Sequence, residues 1–190
     1  MAWSAATLSS TIRALAAADK PMLVGNNRLA DATGYEWSAA GSFAGADATA
    51  TGYPVTYAFD GYSHLKTKPN NTATTWYLLF NLGGLVTFDV LAILQHNLGT
   101  LTGVTVTLEV ADDNTFATNL TTVATLSPAA SNKRLVSLVL ADTGADARQI
   151  TAQYVRLKLV KGSGFTPELG EVILDRIEIG TVGRQVEQGC

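Results

Sequence analysis

The 190 residues contain two histidines, His64 and His96, and one cysteine, Cys190. A structural zinc is held by a tetrahedral set of Cys and His ligands, so such a site is excluded for want of them. Cys190 is the last residue; an internal disulfide is impossible and a catalytic thiol is not expected there. Serine chemistry would need a base in reach, and no Gly-x-Ser-x-Gly elbow occurs. Gly162-Ser163-Gly164 lacks the spacing and the Lys-Ser/Thr ending of a phosphate loop. Carboxylates are present, and a pair suited to glycoside cleavage is left open. An enzyme is nevertheless the class these residues support least, and the expectation is a binding protein.

The elements that must position any binding residue can be read from composition and periodicity. Lys and Arg number 13 against 16 Asp and Glu, a formal charge of −3, and no basic stripe exceeds Lys66/Lys68 and Lys133/Arg134. Nucleic acid is therefore not an expected partner. Hydrophobic residues make up 47% and charged ones only 15%, which excludes a disordered chain and suits a Thr-rich β protein or one covered by neighbours. A membrane helix is not expected, because the apolar runs 76–80 and 86–94 are short. The N-terminus lacks the pattern of a secretory signal, so folding in a reducing cytosol is expected.

Leu8, Ile12 and Leu15 recur at helical spacing among alanines and predict one helix over 4–18, ended by Asp19-Lys20-Pro21. Residues 26–53, rich in Gly and small residues, read as a long ordered loop whose Tyr35, Trp37 and Phe43 plug it onto the body. Strands are expected over 76–82, 86–94, 104–110, 120–126, 134–140, 153–160 and 172–179. Val155, Leu157 and Leu159 fall on one side of the sixth and Tyr154, Arg156 and Lys158 on the other. Asp112-Asp113-Asn114 reads as a turn. Three parts follow: a helix and arm over 1–25, a sandwich domain over 26–180, and a C-terminal arm over 181–190.

A family resemblance then enters through five motifs in order. Ala58-Phe59-Asp60-Gly61 with Thr67 and Thr75-Trp76 comes first, then Trp76 through Asn81-Leu82-Gly83, then Val104 to Phe116. Tyr154-Val155-Arg156-Leu157 and Gly170-Glu171-Val172-Ile173-Leu174 complete the set. Together they resemble the discoidin-like or galactose-binding-like sandwich of coagulation factor 5/8 C-type domains and several carbohydrate-binding modules. Asn81 stands where that family has Asp, and the stretch from Asp60 to Trp76 is longer than its norm. The resemblance implies an all-β fold, a two-sheet antiparallel jelly roll, with the short N-terminal helix appended.

It also implies that the opening loop lies beside the closing strand, which makes Asp60, Thr67 and Glu171 candidate ligands of a structural calcium. The competing reading has Asp60 capping its own turn while Glu171 pairs with Arg156 or Lys158. Sugar sites of this fold class combine an aromatic platform with polar groups on loops. Trp37, Tyr53, Tyr57 and Tyr62 are the available platforms. His96-Asn97 could bind a sugar hydroxyl or fix its own loop by hydrogen bonds.

The segment Leu91 to Gly99, with His96-Asn97-Leu98, is similar to discoidin-type virion proteins of tailed bacteriophages. This resemblance implies a non-enzymatic structural or adhesion protein of a phage particle. It would bind other virion proteins in multiple copies or as a homo-oligomer, together with host surface carbohydrate. The alternative is a cellular carbohydrate-binding module that targets a polysaccharide.

Overall fold

The computed structural model describes residues 22–23, 27–45, 47–128, 134–138, 150–176 and 178–179. The helix expected over 4–18 and the arm from 181 onward lie outside the described residues. The strands are β1 (Met22–Leu23), β2 (Gly34–Ser38), β3 (Ala73–Phe88), β4 (Val90–Leu94), β5 (Thr105–Ala111), β6 (Thr121–Leu126), β7 (Arg134–Leu138), β8 (Ile150–Phe165), β9 (Glu171–Asp175) and β10 (Glu178–Ile179). All pairings are antiparallel. A five-stranded sheet runs β2-β3-β8-β5-β6, a three-stranded one β7-β4-β9, and β1 pairs with β10. No helix among the described residues is long and apolar enough to cross a membrane.

Period-two alternation places the core between the two larger sheets. Trp76, Leu78, Phe80 and Leu82 of β3 meet Val106 and Leu108 of β5 and Val155, Leu157 and Leu159 of β8. Leu91 and Ile93 of β4 and Val172 and Leu174 of β9 close the cluster from the opposite side. Each such side chain contributes on the order of 2 kcal/mol by leaving water. The face of β8 carrying Val155, Leu157 and Leu159 is the one its alternation implies.

Two stretches differ from the sequence reading. The region 26–53 is not all loop: Arg28–Asp31 is a 3-10 turn and β2 pairs with β3, Trp37 opposite Leu78. Five residues are too few to show a period, and β2 is fixed by its neighbour rather than by its own pattern. The two apolar runs expected at 76–82 and 86–94 divide elsewhere. Gly83, at φ +77°, sits in an irregularity of the β3–β8 pairing between Asn81 and Val86, so β3 continues through it. The break falls at Asp89, whose N–H donates to the Asp175 carbonyl at 3.0 Å, and there the chain passes from the five-stranded to the three-stranded sheet.

The outer face of the five-stranded sheet is covered over part of its area. Leu79, Ala111 and Phe116 form a second cluster with Phe43, Tyr77 and Tyr154. The Arg156 guanidinium lies between the rings of Tyr77 (4.8 Å) and Phe116 (4.6 Å). Its Nε donates to Glu109 Oε2 at 2.6 Å, and its Nη1 donates to the Gly41 carbonyl. Glu36 accepts the amides of Ala44 (2.8 Å) and Gly45 (3.2 Å). Residues 39–45 are thus strapped across the sheet by two charged side chains rising from it. Arg156 and Lys158 pair with Glu109, not with Glu171 as one reading of the sequence had it. The reason is register: Glu109 sits directly across the ladder from Arg156.

Candidate functional site

Three connections meet at one end of the sandwich: the long segment from β2 to β3, the β4–β5 loop and the β8–β9 loop. Asn97 ties two of them together. Its Nδ2 donates to the Thr166 carbonyl (3.2 Å) and its Oδ1 accepts the Glu168 amide (2.9 Å), while its own N–H donates to the Glu168 carbonyl (3.1 Å). Thr67 joins the third by exchanging backbone bonds with Leu169 at 2.8 and 3.1 Å. Residues distant in sequence, from Tyr53 to Glu171, are thereby gathered at one end.

Trp37, offered both as a plug onto the body and as a platform, is the plug. It is fully buried, its ring edge-on to Trp76 at 6.2 Å, and its Nε1 donates to Thr67 Oγ1 at 2.8 Å. No face of the indole is open to a ligand, because the side chain points from β2 into the core. Tyr53 and Tyr57 are half-buried. Lys68 Nζ stands 3.9 Å above the Tyr53 ring and 3.7 Å from Glu168, so one face of that ring already carries a cation. Tyr62 is different. It is 60% exposed, with the ring of exposed His64 edge-on at 5.8 Å.

The loop bearing Tyr62 is held from below by two carboxylates. Asp60 Oδ1 accepts the Tyr62 amide at 2.8 Å, the turn cap that the sequence offered as one reading. Glu171 Oε2 accepts the Gly61 amide at 3.1 Å, and Glu171 Oε1 accepts Asn27 Nδ2 at 3.2 Å. Burial raises the Glu171 pKa and the nearby Asp60 charge adds to that, while the bonds from Asn27 and Gly61 oppose both. The fold does bring the opening loop to the closing strand.

The donor set fits calcium poorly. Calcium takes roughly six to eight oxygens, several of them carboxylate. Thr67 is wholly buried, its hydroxyl accepting from Trp37 and donating to the Tyr53 carbonyl at 3.2 Å. Among the described residues no three of His, Cys, Asp and Glu come together, so any further oxygens would have to be carbonyls or waters. Two carboxylates remain, and both oxygens of Glu171 already accept N–H donors.

His96 is buried, and its Nδ1 accepts the Leu98 amide at 3.2 Å. Its Nε2 has no hydrogen-bond partner among the described residues. Burial first and the Lys66 charge second lower its pKa from 6.5 to about 4, so the ring is neutral near neutrality. Asn97 fixes its loop through both ends of its carboxamide. Sequence reasoning did not offer Asn27, Lys68 or Gly170 as site residues. Asn before a short helical turn is a capping signal, but the contact of Asn27 with Glu171 spans 144 positions and leaves no local trace.

No protein-family model matches the sequence, and no curated protein matches it significantly. Solved structures do. One is the chitosan-binding module 1 of a chitosanase/glucanase from Paenibacillus sp. IK-5. It shows 20% identity at TM-score 0.56, covering 79% of this chain and 98% of that one. Module 2 of the same enzyme, in complex with chitotriose, shows 14% identity at TM-score 0.56, covering 78% and 99%. The CBM32 of AlyQ, in complex with 4,5-unsaturated mannuronic acid, shows 18% identity at TM-score 0.51, covering 76% and 95%. At such identities the likeness establishes the fold alone: an antiparallel β-sandwich like that of these modules. The virion reading draws no support from these neighbours.

Proposed function

We propose that this protein is a non-catalytic carbohydrate-binding module that takes a glycan at the loop end of its sandwich, with Tyr62 as the aromatic platform. The observation that carries the reading is the exposed Tyr62 ring on a loop whose backbone is fixed at two successive amides by Asp60 and Glu171. An aromatic face held still in water loses little entropy when a sugar ring stacks on it. His64 beside it supplies a polar edge. The fold likeness to modules described as binding chitosan, chitotriose and an unsaturated mannuronic acid supports the same ligand class.

Affinity electrophoresis through gels containing chitosan, alginate or pectin, with a broad glycan array beside it, tests the proposal. At least one probe is expected to retard the protein, and Tyr62→Ala should weaken that binding about tenfold or more. Because the ring is exposed, its removal should move the melting temperature by no more than about 1 °C. Silence across every probe, or equal binding by Tyr62→Ala, refutes the assignment.

A further inference from the structure

The candidate calcium position is the place where two buried or half-buried carboxylates, a tight turn and the closing strand converge, and its hydrogen bonding describes a different device. Asn27 lies along the open edge of β9 and bonds to it as a neighbouring strand would. Its Nδ2 donates to the Val172 carbonyl at 2.8 Å and its Oδ1 accepts the Leu174 amide at 3.1 Å. The same Oδ1 caps the turn that follows by accepting the Leu29 amide at 3.2 Å. Held at both ends of its carboxamide, Asn27 aims the remaining Nδ2 hydrogen at Glu171 Oε1.

Glu171 then receives the Gly61 amide on its other oxygen. Each of its oxygens thus accepts one N–H, taking up positions a bound cation would otherwise occupy. Close packing at Gly170 makes the junction tight. A Cβ there would lie 2.3 Å from the Ser63 carbonyl oxygen and 2.8 Å from that of Leu94, so only glycine lets the Tyr62 loop rest directly on the start of β9. Thr67, the third expected calcium ligand, is engaged by Trp37 and Tyr53.

We infer that Asn27 and Glu171 form a metal-independent clamp on the Tyr62 loop and are positioning residues for the ligand that Tyr62 binds. The second half rests on the function proposed above; the first does not. By this inference the chain keeps the loop-to-strand junction of the calcium-bearing fold and holds it with hydrogen bonds from an asparagine.

The test uses the full chain and two readouts. Millimolar calcium against EDTA, at a concentration that saturates weak extracellular-type sites, is expected to leave the wild-type melting temperature unchanged within about 1 °C. In hydrogen exchange followed by NMR, Glu171→Gln should speed exchange of the Gly61 amide about tenfold while core amides such as that of Leu157 keep their protection. Asn27→Ser, which retains a short capping oxygen, should do the same more weakly. A calcium-dependent rise in melting temperature that Glu171→Gln abolishes overturns the clamp, and so does unchanged Gly61 exchange in Glu171→Gln. Glycan retardation of Glu171→Gln is read separately. Weakened binding supports the positioning role, and wild-type binding with a loosened Gly61 overturns it. If the wild type binds none of the probes, the Tyr62 platform fails while the exchange result still judges the clamp.

Discussion

His96 shows how a single side chain ties the site to the stability of the fold. Accepting the Leu98 amide at Nδ1 requires that nitrogen to be unprotonated, and burial reinforces the neutral form. The unfolded chain takes up a proton near 6.5, the folded one only near 4. Stability from this residue is therefore complete above 6.5 and is lost as pH falls from there to about 4. Glu171 acts in the opposite sense: its raised pKa favours folding in acid, and that contribution declines as pH rises above its ordinary 4.5. Thermal melts from neutral pH down to 4 should show a smaller decline for His96→Gln than for the wild type; parallel curves would show that the buried neutral ring is not the cause. Sequence inspection offered His96-Asn97 either a sugar hydroxyl or a loop to fix. For Asn97 the bonds to Thr166 and Glu168 are those of the second. Trp37 belonged with the tyrosines by residue type and was separated from them only by the direction in which β2 points it.

At the scale of elements, the strap over 39–45 carries Phe43 onto the body of the domain as the sequence led one to expect. Its alanines, glycines and serine suggest a surface covered by neighbouring subunits, whereas part of this segment lies across the chain's own sheet. Phe43 stacks on Phe116 at 6.5 Å, and Arg156 and Glu36 hold the backbone between them. Glu109 and Arg156 have side-chain exposures of 6% and 9%, so removing one partner leaves a charge uncompensated. Arg156→Ala should cost about 3–5 kcal/mol in urea unfolding, toward the lower end because Lys158 stands 3.8 Å from Glu109. Replacing both Glu109 and Arg156 with Met should cost distinctly less than Arg156→Ala alone. A double variant as unstable as the single would show that the strap, rather than the charge, is what Arg156 maintains. The same alternation that placed Val155, Leu157 and Leu159 on one face put Arg156 on the other, and periodicity separates two faces without saying whether both are covered.

For the whole molecule, one contiguous core draws on β2, β3, β4, β5, β6, β8 and β9, on Val55 in the 3-10 turn Val55–Ala58 and on the loop residue Leu169. With no second core of comparable size among the described residues, both sheets should unfold together. Urea transitions followed by near-ultraviolet tryptophan signal and by far-ultraviolet β signal are expected to coincide; separated midpoints would mean that the three-stranded sheet loosens first. The amino-acid sequence by itself determined the class of fold. Alternating apolar residues, turn residues at their ends and five motifs in order are local properties, and local properties survive in a linear string. It also showed that a Cys/His zinc set, a Gly-x-Ser-x-Gly elbow and a phosphate loop ending in Lys-Ser/Thr do not occur in the given sequence. Only the tertiary structure decided which candidate residues meet. Asn27 reaching Glu171, Tyr62 standing clear while Trp37 is buried, and Glu109 rather than Glu171 taking Arg156 all depend on strand register and sheet order. Those are set by contacts between segments tens to more than a hundred residues apart, whose energies no window of the sequence contains.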